Sequence, residues 1–197
     1  MICQSGNGRL DLIELERGTL VEKARVSLVD AKILHGAHFN SRTVRKTSRG
    51  TYLVGLLDQA KDGGLEISAT GAVIRRFPEA RYAVVEMPGG GYLGAGGDNR
   101  NVIGYDAEGK VIWRLGTNDL PDFPIGFCAG VHANPDGSIL VANWGGHTQT
   151  DAPCIGLIAP DRKSLLWSIR LKPGNRVAGF QVLPPQAATG PKHDTTP

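Results

Sequence analysis

The chain has 197 residues, 41% of them hydrophobic, with a formal charge of +3 at pH 7. Its 22 basic residues are interleaved with 19 acidic ones, which argues against the clustered basic stripe of a nucleic-acid interface. No segment approaches the roughly 18 consecutive apolar residues of a membrane span, and Cys3, Cys128 and Cys154 form no CxxC pair from which to build a structural zinc site. These cysteines read as packed thiols. The 27 glycines are about twice the usual share and follow no collagen period, which points to many tight turns.

Taken in order, residues 1–5 read as a strand followed by a GNGR loop. They carry no basic n-region and no apolar run long enough for a signal peptide, so the chain as given is expected in the cytoplasm, or in the periplasm or outside the cell if a leader precedes Met1. A hairpin, LIELERGTLVE, starts at Leu12. Residues 29–39 form a linker in which His35 and His38 sit three apart without a third metal ligand nearby. Strands are then expected at 42–46 and 50–54, followed by a polar loop at 57–63 and the hairpin ISATGAVIR from Ile67. Residues 83–87, 92–95, 102–105 and 110–114 give four more strands, separated by GGDNRN and by the tight turn Asp106-Ala107-Glu108-Gly109. After a second linker, 118–127, the pattern returns at 131–134 and 137–141 and in IAPDRKSLLW from Ile158.

Self-comparison shows a repeat of about 40 residues with several strands per period, the sequence signature of a propeller. Leu53, Leu93 and Leu140 are equivalent second-strand residues, and Val44, Val84 and Val131 share a first-strand position that Phe180 occupies again near the C-terminus. The expected fold is an all-β propeller of about four four-stranded antiparallel blades, with helix confined to the two linkers. The blades fall at roughly 1–28 plus 176–185, 40–78, 81–116 and 128–172, all within 1–185, and a disordered tail occupies 186–197. Pairing of residues 180–183 with 2–5 would close a four-bladed ring. The alternative is a segment of a larger propeller of six to eight blades, whose uncovered end sheets would favour a homo-dimer.

The hairpins Asp106-Ala107-Glu108-Gly109-Lys110 with Trp113, and Pro160-Asp161-Arg162-Lys163 with Trp167, resemble the outer hairpins of bacterial propellers of the pyrroloquinoline-quinone type. The turn is one residue shorter than the tryptophan-docking pattern of quinoprotein dehydrogenases, the threonine before the glycine is missing, and Glu22 and Arg75 stand at the tryptophan position in the other two units. The likeness is therefore to the wider quinoprotein-like repeat family, whose uncharacterised bacterial members share features such as the His132-Ala133-Asn134-Pro135-Asp136-Gly137 stretch and the Asn143-to-His147 loop. It implies a fold and a binding surface. Trp113 and Trp167 are expected to be structural, each lying flat on a neighbouring blade and burying roughly 200 Å².

Function on such a scaffold is expected on loops at one face and at the mouth of the channel. Loops at 57–63, 96–101 and 144–153 share one place in their units and carry Asp58, Lys61, Asp62, Asp98, Asn99, Arg100, His147 and Asp151, next to Asn143. One aligned position of the first strands presents Arg45, Val85, His132 and Gln181 as channel residues. The ligand candidates are thus Arg45, His132, Asp98, Asn99, Arg100, Asn143 and His147, a set suited to a protein or a polar small molecule. No GxSxG, P-loop, GxGxxG after a strand or HExxH is present, so the expected function is non-catalytic binding or scaffolding without a metal or cofactor. The alternatives are part of a quinoprotein enzyme, which would hold pyrroloquinoline quinone with calcium, or an arylsulfotransferase-like propeller using His132 and Arg45.

Overall fold

Short apolar runs of four to six residues, broken by turns in which glycine or aspartate sets the backbone, fold as up-and-down antiparallel hairpins. A computed structural model describes residues 2–4, 11–28, 41–56, 63–145, 152–172 and 175–183. The strands are β1 (Ile2–Gln4), β2 (Asp11–Leu15) and β3 (Glu22–Ser27); β4 (Ser41–Lys46), β5 (Tyr52–Leu56), β6 (Gly64–Ile67) and β7 (Val73–Phe77); β8 (Ala83–Glu86), β9 (Tyr92–Ala95), β10 (Val102–Tyr105) and β11 (Val111–Leu115); and β12 (Cys128–Ala133), β13 (Ile139–Asn143), β14 (Ile155–Ile158) and β15 (Leu165–Ile169). They form one three-stranded and three four-stranded sheets, each in sequence order. No helix occurs among the described residues, and the 118–127 linker is built of turns.

The tight turns are fixed by their own side chains. Asp106 accepts the backbone N–H groups of Glu108 and Lys110 on Oδ1, while Gly109 takes φ 86°, a left-handed conformation that a Cβ disfavours. Asp161 accepts the N–H of Lys163 in the same way.

The repeat is legible in the register. Arg45 pairs with Leu53, Val85 with Leu93 and His132 with Leu140, so the three leucines are equivalent as expected. A bulge falls at the same place in every third strand: Glu14/Leu15, Glu66/Ile67, Gly104/Tyr105 and Leu157/Ile158. The residue before each bulge pairs with Ala24, Arg75, Trp113 and Trp167 respectively. Ala24, rather than Glu22, therefore stands at the tryptophan position of the first sheet, because the longer turn of that hairpin shifts its fourth strand.

Consecutive sheets share apolar layers. Leu12, Val26 and Leu28 meet Tyr52, Val54, Leu56, Leu65 and Ile67; Leu53 and Phe77 meet Val84, Tyr92, Ile103 and Tyr105. The third layer joins Leu93, Ala95, Val102 and Leu115 to Val131, Ile139, Val141 and Ile158, and the linker adds Leu120, Phe123 and Ile125. Burying a side chain of this kind contributes about 1.5–3 kcal/mol, so these layers hold the array together.

The two tryptophans part company here. Trp113 packs into the third layer and lies flat over Gly104, where a Cβ would come within 2.1 Å of its indole; the Arg162 guanidinium covers it at 4.6 Å. Trp167 is 43% exposed. It sits on the outward face of the last sheet, and Leu157 occupies the place of Gly104, leaving no bare backbone for an indole to lie on. Of the two, only Trp113 packs against a neighbouring sheet.

The expected strand at residues 180–183 is not formed, and β1 pairs only with β2 among the described residues. Phe180 and Val177 pack instead against Phe127, Ala129 and Ala142. The tail at 186–197 lies outside the described residues.

The tryptophans give a direct test by chemical denaturation. Trp113→Ala should cost about 2–4 kcal/mol, somewhat under the value for a fully buried aromatic, whereas Trp167→Ala should cost less than about 1 kcal/mol in the monomer. Equal losses at the two positions would contradict the asymmetry.

Candidate functional site

In an up-and-down sheet the turn joining the first two strands and the turn joining the last two lie at one end, and the middle connection lies at the other. The first kind of end forms an open cleft of about 820 Å³, bordered by Ser48, Arg49, Arg75, Glu86, the turn leading to Tyr92, and His132. Gly89, Gly90 and Gly91 line its middle with φ values of 85°, 107° and 75°. A Cβ on Gly91 would also lie 2.4 Å from the Tyr105 carbonyl oxygen, so glycine there lets the turn close against β10.

The cleft is underlaid by a carboxylate. Glu66 on β6 is 1% exposed and faces the next sheet. Its Oε1 accepts from Arg49 at 2.9 Å and from Thr51 at 2.6 Å; its Oε2 accepts from Arg75 and, at 3.1 Å, from the Tyr92 hydroxyl. That hydroxyl in turn accepts from both arginines, using its full capacity of one donor and two lone pairs. The Arg75 guanidinium also stands 5.1 Å from the Tyr92 ring centre. Burial pushes Glu66 up, but the hydrogen bonds from Thr51, Arg49 and Tyr92 outweigh it and hold the carboxyl below its ordinary value. Burial beside Glu66 raises the Tyr92 phenol. At neutral pH the acid is ionised and the phenol is protonated.

On the lip, Glu86 accepts from the Ser48 N–H at 2.7 Å and the Ser48 hydroxyl at 3.2 Å, and lies 3.3 Å from Arg49. His132 borders the same space, and burial lowers its pKa, so its ring is neutral at pH 7. Two arginines stand against three carboxylates, Glu66 beneath the cleft and Glu86 and Glu108 on its border. The cleft is therefore polar and carries charges of both signs.

The same device occurs one sheet earlier. Glu14 holds the position of Glu66 before the bulge, accepts from Lys46 at 2.6 Å and the Tyr52 hydroxyl at 3.1 Å, and is held below its ordinary value mainly by Lys46.

Of the described residues expected from the sequence to form the site, His132 alone borders this cleft. Arg45 is exposed and donates to the Val44 carbonyl; it does not line the space that His132 lines, so the pair does not meet there. Asp98, Asn99 and Arg100 lie at the opposite end of the sheets in an exposed turn whose flank, Gly97, bridges to Cys128. Asn143 is a scaffold residue: its Oδ1 accepts from the N–H groups of Gly126 and Phe127 and its Nδ2 donates to the carbonyls of Pro124 and Pro153, which consumes its hydrogen-bonding capacity. His147, Asp58, Lys61, Asp62, Asp151, His35 and His38 lie outside the described residues. Cys128 and Cys154 are buried free thiols as expected, and burial pushes Cys128 up to about 12.

The missed residues are Arg49, Glu66, Arg75, Glu86 and Tyr92. A signal was present: Glu14 in LIEL and Glu66 in LEIS are charges inside otherwise apolar third strands, and Tyr52 and Tyr92 recur just before the equivalent leucines. The pairing of one repeated feature with the other becomes visible only once consecutive sheets face each other.

No protein-family model and no curated protein matches the chain. Among solved structures, a protein of unknown function from Bacteroides caccae superposes with TM-score 0.75 at 17% identity, over 90% of this chain and 66% of its own. The extracellular domain assigned to a hybrid two-component system of B. thetaiotaomicron gives TM-score 0.53 at 16% identity, over 86% of this chain and 22% of its own. The chain thus spans less than two thirds of the length of either structure. At these identities the likeness is one of fold.

Two substitutions separate framework from cleft. Glu66→Gln should cost about 2–4 kcal/mol at pH 7, since it leaves two arginines facing a neutral amide. Because the folded pKa of Glu66 is depressed, its contribution is full above the ordinary value of about 4.3 and is lost as pH falls through the lower folded value. The gap between wild type and Glu66→Gln should therefore narrow below about pH 4 in urea titrations. Asn143→Ala should cost about 2–4 kcal/mol by stranding buried backbone groups, with backbone amide shifts at the Gly89 turn unchanged by NMR.

Proposed function

We propose that the sheets are blades of a quinoprotein-like propeller and that the chain is a non-catalytic binding module, taking a polar small molecule in the cleft bordered by Arg49, Glu86, the Gly89 turn and His132. Four-stranded antiparallel sheets stacked through apolar layers, with Trp113 laid on the next sheet, support the propeller reading. A protein loop presenting the same chemistry is the second occupant compatible with this surface.

The observation that carries the binding reading is the Arg49–Glu86 pair on the lip of the cleft, with Arg49 anchored from beneath by Glu66. A ligand meets donors and acceptors already fixed in place, which reduces the entropy lost on binding. The protonation states of the buried pair favour binding over proton transfer: Glu66, held below its ordinary value, and Tyr92, raised above its own, are both displaced away from pH 7. Glu66 has both oxygens committed to arginine, threonine and tyrosine donors, which leaves it no lone pair for a calcium ion. The quinone-dependent and arylsulfotransferase-like alternatives find less support, because Arg45 and His132 do not share the cleft.

The test is an amide-detected NMR screen with monosaccharides, free amino acids and short peptides. Saturable shifts are expected at Arg49, residues 89–92 and His132, and should be lost in Arg49→Ala/Glu86→Ala. Saturable binding of pyrroloquinoline quinone with calcium, or shifts confined to residues 96–101, would overturn the reading.

A further inference from the structure

The charges around the cleft do not cancel. The Arg49 and Arg75 guanidiniums are both engaged by Glu66 beneath it, and Arg49 also meets Glu86 on the lip. Those two carboxylates match the two cations. Glu108 borders the same space and is the surplus: it is exposed, and among the described residues its carboxylate enters no ion pair or hydrogen bond. Lys110, the next cation along that turn, lies off the border. A carboxylate without a counter-ion at the rim of a concave, partly apolar site biases the potential inside it toward positive ligands.

The other lining groups narrow the kind of positive ligand. A metal ion is poorly served, since among the described residues no three His, Cys, Asp or Glu side chains gather where one could be held. A quaternary ammonium would be recognised by open aromatic faces. Tyr92 is the one phenyl-type ring on the border, and the Arg49 and Arg75 guanidiniums already stand 5.9 and 5.1 Å from its centre.

What the cleft does offer is hydrogen-bond acceptors. Glu86 accepts the Ser48 N–H and hydroxyl and meets Arg49, which leaves part of the roughly four lone-pair sites of a carboxylate open. The His132 side chain enters no hydrogen bond among the described residues, and burial favours its neutral ring, in which one nitrogen accepts. A primary ammonium brings a charge to match Glu108 and N–H donors for these acceptors. The volume of about 820 Å³ leaves room for a small molecule or a short peptide around that head group.

On the binding reading of this cleft, we propose that its ligand carries a primary ammonium group, with Glu108 matching the charge and Glu86 and His132 supplying further acceptors. The chemistry is shared by a free amine and by a lysine side chain on a peptide.

Amide-detected NMR titrations of the full chain with the capped tripeptide Gly-Lys-Gly, and with glutamine, glutamate or trimethyl-lysine in its central place, test this at nearly constant ligand size. The lysine peptide should give saturable shifts at residues 89–92 and 107–108 and bind at least about threefold more tightly than each of the others, the scale expected of one exposed ion pair. That preference should shrink between about 20 mM and about 500 mM salt. It should vanish in Glu108→Gln, an exposed change that should keep the wild-type melting temperature. n-Butylammonium, titrated alongside, distinguishes the sources: binding at least as tight as the peptide's assigns the site to a small amine, and weaker binding assigns it to lysine on a chain. Equal affinity for the glutamine, glutamate or trimethyl-lysine peptide overturns the ammonium assignment while leaving binding in the cleft intact, and so does a preference that survives Glu108→Gln. No saturable shift from any of these probes, or from monosaccharides and free amino acids, overturns the binding reading and this assignment together.

Discussion

A carboxylate placed inside a stack of sheets has to be matched there, and the residue before the third-strand bulge is where this protein meets that constraint. The position points across to the second strand of the next sheet, so whatever occupies it decides how two sheets are joined. With Glu66 the partners are Arg49, Thr51 and Arg75 from its own sheet and Tyr92 from the next. An ion there without partners would cost several kcal/mol in lost hydration, so the arginines are a condition of its burial. The consequence is geometric: Arg49 is held where it can meet Glu86, and the lip of the cleft is fixed by a group at its floor.

The four units solve the same joint in different chemistry. Glu14 and Glu66 bridge to Tyr52 and Tyr92, whereas Gly104 bares its backbone to the Trp113 indole. In that third joint Ile139 stands where the other sheets place tyrosine and is buried, so a polar bridge gives way to an apolar one on both sides at once. Leu157 at the fourth occurrence fits neither arrangement, and it is the one that faces outward.

Much of the framework was legible in the sequence. Strands at 92–95 and 102–105 and the equivalence of Leu53, Leu93 and Leu140 follow from period-two alternation and turn residues, which are local properties. The paired carboxylates and tyrosines were not found, because a charge in a short strand reads as a solvent-facing residue until the opposing sheet is known. Asn143 misled for a related reason: an asparagine beside a glycine-rich loop looks like a ligand donor, and only the path of residues 124–127 and Pro153 shows its four hydrogen bonds to be internal. Trp167 shared every local feature with Trp113 and differed in its cross-strand neighbour, a leucine in place of a glycine.

The cleft also lies at the end that loop length alone would not have selected. Long connections such as 57–63 and 144–153 draw attention because they carry many polar side chains. Ordering such side chains on binding costs free energy for each one immobilised. The opposite end is closed by turns of a few residues, in which Thr47, Gly50 and the Gly89–Gly91 run fix the backbone, so Ser48 and Glu86 start close to their final places. A cleft built on tight turns above a buried ion network is held in shape by the same contacts that stabilise the sheets, so its lip cannot be altered at Glu66 without also loosening the joint beneath it.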